Sequence, residues 1–184
     1  MEEFDIFSSL IIGVVSGFIS SFVYFMFLRA LKPKIMVSPS ITLLDKGSSY
    51  EYIIKVVNKS RSDLIDVFYS FQIYTISPDN IVDTNYIEPT KKILRHIEKY
   101  KKSDNNTYAV RFSFTDNKKR ALDDSSFLVF TIYATHAFSG RSIVIRTKYK
   151  NDQIIKNGLF ETGTSVKILQ HHNKSSVNSV WSFI

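Results

Sequence analysis

The chain contains no cysteine, which excludes disulfide frameworks, thiol nucleophiles, cysteine zinc sites and iron–sulfur clusters together. Six glycines and four prolines in 184 residues are too few for a collagenous or linker-like protein. The glycine patterns that cradle phosphates, G-x-x-x-x-G-K-[ST] and G-x-G-x-x-G, are missing, and so is the G-x-S-x-G nucleophile elbow. The four histidines, His96, His136, His171 and His172, lack zinc spacing and read as structural or surface residues. The nearest carboxylate pairs, Asp63 with Asp66 and Asp123 with Asp124, sit where turns enter strands. These absences lead to the expectation of a non-enzyme without metal or cofactor. What is present is a chain 44% hydrophobic and 14% aromatic, which is not a disordered composition.

Cations are also absent from the front, since none of the 24 Lys and Arg precedes residue 29. Ile6 to Leu28 (IFSSLIIGVVSGFISSFVYFMFL) runs 23 residues without a charge. At about 1.5 Å per residue it spans roughly 35 Å as a helix, enough to cross a hydrocarbon core of about 30 Å. A cleaved signal peptide fits less well, because the run exceeds an h-region of roughly 7–15 residues and lacks an A-x-A site. Arg29, Lys32 and Lys34 follow the run at once, whereas Glu2, Glu3 and Asp5 precede it. The positive-inside bias then places the C-terminal side in the cytoplasm of a cell with this helix in its inner membrane. The Asn-x-Ser/Thr triplets at Asn58, Asn105 and Asn173 become incidental. The segments predicted are an external stub over 1–5, a transmembrane helix over 6–31, a cytoplasmic β domain over 34–170 and a tail over 171–184.

Within the helix, Ser9, Gly13, Gly17 and Ser21 recur every four residues along one stripe, with G-x-x-x-G at its centre. Small residues in that register let two helix backbones approach closely, so the stripe is a candidate for self-association; the other reading is an accidental register. Arg29, Lys32 and Lys34 are candidates for contact with lipid headgroups, or cations that merely set topology.

Behind Pro33 the period changes to two. Lys34–Leu44, Tyr50–Val57, Leu64–Ile76, Thr107–Thr115, Phe127–His136 and Ser142–Tyr149 are rich in β-branched and aromatic residues and are separated by turn residues. Six or more such strands predict a mainly β, sandwich-type domain. Glu88–Lys102 suits either a short helix or a strand. Its cations Lys91, Lys92, Arg95, Lys99, Lys101 and Lys102 form a candidate patch for an anionic ligand such as a nucleotide or lipid phosphate, against the alternative of a solvated basic loop. No motif of a nucleic-acid reader accompanies them. In the tail, Trp181, Phe183 and Ile184 follow a polar spacer and either pack on the chain's own domain or engage a partner protein or the bilayer interface.

Two blocks resemble the cytoplasmic domain of inward-rectifier potassium channels. In Tyr50–Ile76, a strand ends at Asn58 with Arg61 close behind, then comes the Leu64-Ile65-Asp66 step and a long alternating strand. In Phe127–Phe160, a hairpin leads to Tyr149, Asp152-Gln153-Ile154 and Gly158-Leu159-Phe160. The resemblance implies an immunoglobulin-like (E-set) sandwich, a ring-like homo-oligomer and juxtamembrane contact with anionic phospholipid. It does not imply ion conduction. The chain has one apolar span and no Gly-Tyr-Gly filter, and Asn157 replaces the aromatic that precedes the family's last glycine. The expectation is a single-pass, non-catalytic sensor or scaffold. The alternatives are a membrane-disrupting defence effector triggered through the β domain, and an accessory channel subunit.

Overall fold

The computed structural model describes residues 2–79, 81–90, 94–101, 107–117 and 125–170. Helix α1 (Glu2–Ala30) is followed by β1 (Ile35–Val37), β2 (Ile41–Asp45), β3 (Tyr50–Asn58), β4 (Leu64–Ile76), β5 (Val82–Tyr86), β6 (Glu88–Pro89), β7 (His96–Ile97), β8 (Ala109–Asp116), β9 (Ser126–His136) and β10 (Ser142–Tyr149). A 3-10 turn over Asn151–Gln153 then leads to β11 (Ile154–Lys156), β12 (Gly158–Phe160) and β13 (Ile168–Gln170). The protein is mainly β, with one N-terminal apolar helix.

The helix starts inside the segment expected to be a stub, because helical hydrogen bonding propagates through polar residues once an apolar stretch is helical. Phe7–Ala30 is long and apolar enough to cross a membrane, and the rest of the chain buries none of its most apolar window. Pro33 follows three residues after its end and ends helical pairing.

One sheet has the order β11-β2-β3-β8-β6, with β1 also paired to β3, and the second has the order β10-β9-β4-β5, with β7 paired to β4. A third, two-stranded ladder joins β12 and β13. The inner faces of the two large sheets meet through Tyr52, Phe112 and Phe114 on one side and Tyr69, Phe71 and Phe130 on the other. Their ring centroids are 4.4 Å apart for Tyr69–Phe112, 4.8 Å for Phe71–Phe114 and 5.6 Å for Phe112–Phe130, within the range favoured by aromatic pairs. The alternation read from the sequence holds in β8 and β10, where Phe112, Phe114, Ile145 and Tyr149 face inward while Arg111, Arg146 and Lys148 face out.

Three departures have local causes. The run Lys34–Leu44 is split at Ser38-Pro39-Ser40, where β1 and β2 pair the same strand with a two-residue offset; proline cannot donate to the ladder and so settles in the bulge. In β4 the register shifts between Ile65 and Phe68, with Asp66 at φ 50°. That bulge lets Leu64 and Val67, of opposite parity, both face the core. Asn157 occupies φ 53° directly before Gly158, a left-handed conformation that asparagine adopts several-fold more readily than bulky residues.

Residues 88–102 resolve, where described, into the short strands β6 and β7 and not into a helix. Ile97 is buried opposite Leu64, and Pro89 lies on the edge strand β6. The β5 strand escaped the sequence reading because four of its five residues are exposed and it lacks a buried stripe. The β12–β13 segment covers the outer face of β3, where Lys55 is 1% exposed. Its Nζ donates to the carbonyls of Glu161 and Ser165 at 2.5 and 2.6 Å, and Arg111 Nη2 donates to Phe160 O at 3.0 Å. Burial, then the nearby Arg111 guanidinium, pushes the Lys55 ammonium below its usual pKa, with Glu161 opposing.

Candidate functional site

Four separated segments converge where the helix meets the β domain. Ala30–Lys34 arrives from the helix, Lys59–Asp63 is the turn from β3 to β4, Lys99 follows β7, and His136 with Phe138 comes from the β9–β10 turn. Together they line a cavity of about 450 Å³. Its cations are Lys32, Lys34, Lys59, Arg61 and Lys99, and its carboxylate is Asp63.

The walls are fixed by hydrogen bonds of backbone and neutral side chains. Lys34 N donates to Ser60 Oγ at 2.8 Å, and Lys59 N donates to Lys34 O at 2.7 Å. Beneath them the buried Asn58 side chain accepts from Ser60 N at 2.8 Å and donates to Ser62 O at 3.1 Å and Glu98 O at 2.9 Å. One asparagine at the end of β3 thus ties the basic turn to the segment that carries Lys99. Lys32, Lys34, Lys59, Arg61 and Lys99 have exposed side chains, so an anion here meets several ammonium and guanidinium donors at little extra desolvation cost.

Asp63 is an anchor of the wall. Its Oδ1 accepts from Lys99 N at 2.8 Å and its Oδ2 stands 3.2 Å from His96 Nε2. The Lys99 amide is the main reason its carboxyl titrates below the ordinary value, with a further contribution from His96. His136 is buried at the inner end of β9, and burial lowers its pKa. Its Nδ1 lies 3.2 Å from Ser139 N and 3.0 Å from Ser139 Oγ.

Of the cations expected at headgroup level, Lys32 and Lys34 line the cavity. Arg29 does not, and contributes its backbone carbonyl as an acceptor for Arg141 Nη1. From the second candidate patch, Lys99 joins the cavity, whereas Arg95 and Lys101 stand exposed elsewhere. Lys91, Lys92 and Lys102 lie outside the described residues, as do His171, His172, Asp123, Asp124, Asn105, Asn173 and the whole tail over 171–184 with Trp181, Phe183 and Ile184. Lys59 and Arg61 belong to the turn after β3, and the sequence marks Arg61 only through the resemblance, as the basic residue behind Asn58. Two cations in one turn is a weak signal, and nothing local places that turn beside the helix. The stripe of Ser9, Gly13, Gly17 and Ser21 stays uncovered: a Cβ added at Gly13 or Gly17 would meet nothing within 4 Å outside the helix itself.

No protein-family model and no curated protein matches the chain. Among solved structures it is similar to the X-ray structure of Northeast Structural Genomics Consortium target SoR45, at 9% identity and a TM-score of 0.34, over 79% of this chain and 96% of that one.

Proposed function

We propose that the protein is a single-pass, membrane-anchored, non-catalytic sensor or scaffold whose β domain receives an anionic, phosphate-bearing lipid headgroup. The observation that carries this reading is the cavity at the end of the apolar helix, with five cations and one carboxylate on its walls. The helix crosses the inner membrane, the β domain is cytoplasmic, and the short link from Leu31 to Lys34 keeps the cavity at headgroup depth. An anionic leaflet there contributes about 1 kcal/mol per nearby cation. Self-association through the stripe of Ser9, Gly13, Gly17 and Ser21 belongs to the same reading.

The finer fold assignment, an immunoglobulin-like sandwich of inward-rectifier type, is also part of it. It is supported by the two resembling blocks falling on β3–β4 and β9–β12, with Asn58 at the end of a strand.

The test is thermal unfolding of the full-length protein in neutral detergent with dioctanoyl phosphatidylglycerol or dioctanoyl phosphatidylcholine. A ligand that binds only the folded state raises the midpoint by mass action. The expected result is a rise with the anionic lipid alone, which salt weakens and which a Lys59→Gln/Arg61→Gln variant loses. Equal shifts with the two lipids, or an unchanged response in the variant, would overturn the assignment.

A further inference from the structure

The turn from β9 to β10 is fastened to the end of the apolar helix. Its residues Ala137 to Arg141 grip the end of the apolar helix: Ser139 Oγ donates to Leu31 O at 2.9 Å, and Arg141 Nη1 donates to Arg29 O. Those carbonyls belong to a helix terminus that has no intrahelical donors left for them. The contact also sets the depth of the turn, because the two residues held, Arg29 and Leu31, flank the end of the apolar span Phe7–Ala30.

At the tip of this turn stands Phe138, 59% exposed. A phenyl ring left in water costs free energy that an interface rich in hydrocarbon would relieve. The usual obstacle to putting a loop there is its backbone, since amides stripped of water need other partners. Here that need is already met. The amides of His136, Ala137, Phe138, Ser139 and Gly140 donate in turn to Arg141 O, Asp63 O, Ser62 Oγ, His136 Nδ1 and His136 O, at 2.8 to 3.2 Å. Five consecutive N–H groups are therefore satisfied inside the protein, and Gly140 supplies the φ of +64° that closes the turn.

We infer that the β9–β10 turn is a second membrane contact, in which Phe138 inserts into the bilayer interface beside the helix and fixes how the β domain is rotated against the leaflet. The inference rests on the helix being a membrane anchor. It does not need the cavity to select an anionic lipid.

The experiment uses the full-length protein with its one tryptophan removed (Trp181→Phe) and a reporter introduced by Phe138→Trp, reconstituted into zwitterionic phosphatidylcholine vesicles. A second reporter, Tyr86→Trp, sits at a still more exposed position (72%) paired with Gln72. That is roughly 25 Å along β4 from Leu64, which faces His136 across the ladder. Flotation of the wild type with the vesicles reads the anchor separately.

With phosphatidylcholine spin-labelled near the headgroup, emission at position 138 should shift to the blue and lose intensity, while emission at position 86 stays that of a solvated indole. Floating protein with neither reporter quenched would overturn the insertion and leave the anchor standing. Quenching of both reporters would overturn it too, by showing the domain lying flat on the membrane. Failure to float would remove the anchor and the insertion together. Because the vesicles carry no anionic lipid, none of these outcomes bears on the headgroup selectivity of the cavity.

Discussion

At the scale of single residues, the protein uses buried polar side chains as fasteners. Tyr149 donates its hydroxyl to Ser38 O at 2.8 Å inside the core. Burial is the main reason its pKa lies far above the ordinary tyrosine value, so it remains a donor across the physiological range. Asn58 and Lys55 do the same work for loops. His136 is the fastener that pH can undo. Its folded-state pKa is lowered by burial, so the unfolded chain binds more protons in the window between that value and the ordinary one of about 6.5. Its contribution is complete above about pH 6.5 and is lost as pH falls through the lowered folded-state value. Asp63, also lowered, follows the same sign in a window below the ordinary carboxylate range and so does not overlap. Urea unfolding at pH 7.5 and pH 5 should therefore show the wild type weakened at the lower pH. A His136→Asn variant, which keeps an acceptor near the Nδ1 position, should show a smaller loss. An equal loss in the two proteins would assign the acid sensitivity to other groups.

At the scale of elements, the late segment β11–β13 changes what β3 is. In a two-sheet domain one face of each strand normally stays wet, and alternation results. β3 is buried at seven of the eight positions from Glu51 to Asn58, Ile53 being the exception, and on its outer face Lys55 is covered by the segment between β12 and β13, whose Glu161 and Ser165 carbonyls it binds. The joint depends on Gly158, where a Cβ would come within 2.3 Å of Ile168 Cγ2 and 2.9 Å of Thr42 Cγ2. Gly158→Ala should cost about 1–3 kcal/mol through overpacking. Hydrogen exchange should show the loss as faster exchange over residues 158–170 and at Lys55, with the β4–β9 ladder slowest to change. Retention of wild-type exchange over 158–170 would mean that the segment adjusts without strain.

At the scale of the whole molecule, the helix and the β domain meet over a narrow joint: the chain from Leu31 to Lys34, the grip of Ser139 and Arg141, and the cavity between them. A scaffold that self-associates should form crosslinked oligomers in detergent, and Gly13→Leu/Gly17→Leu should lose them, since the added side chains keep helix backbones apart. A wild type that stays monomeric at all crosslinker concentrations would remove self-association from the proposal. Membrane potential in cells producing the protein separates this role from a membrane lesion. Induced expression should leave a membrane-potential dye unchanged, whereas depolarisation that requires residues 6–28 would favour the effector.

Periodicity made the apolar helix and the five long strands β3, β4, β8, β9 and β10 legible, because charge-free runs and two-residue alternation are local consequences of which surfaces must avoid water. The sequence alone also determined where the cations begin, and hence which end of the helix has a basic flank. It left Glu88–Lys102, which holds β6 and β7, open between helix and strand, and it did not single out the short strands β5 and β11–β13, whose stability comes from ladders already formed by others. The cavity was legible only in fragments. Lys32, Lys34 and Lys99 stood out as cations without a common address, and Lys59, Arg61, Asp63, His136 and Phe138 gave no sign of belonging with them. Only the tertiary structure brought them together, because a site assembled from residues 30 to 138 depends on strand register and on hydrogen bonds such as those of Asn58, and long-range pairing leaves no short-range pattern in the chain.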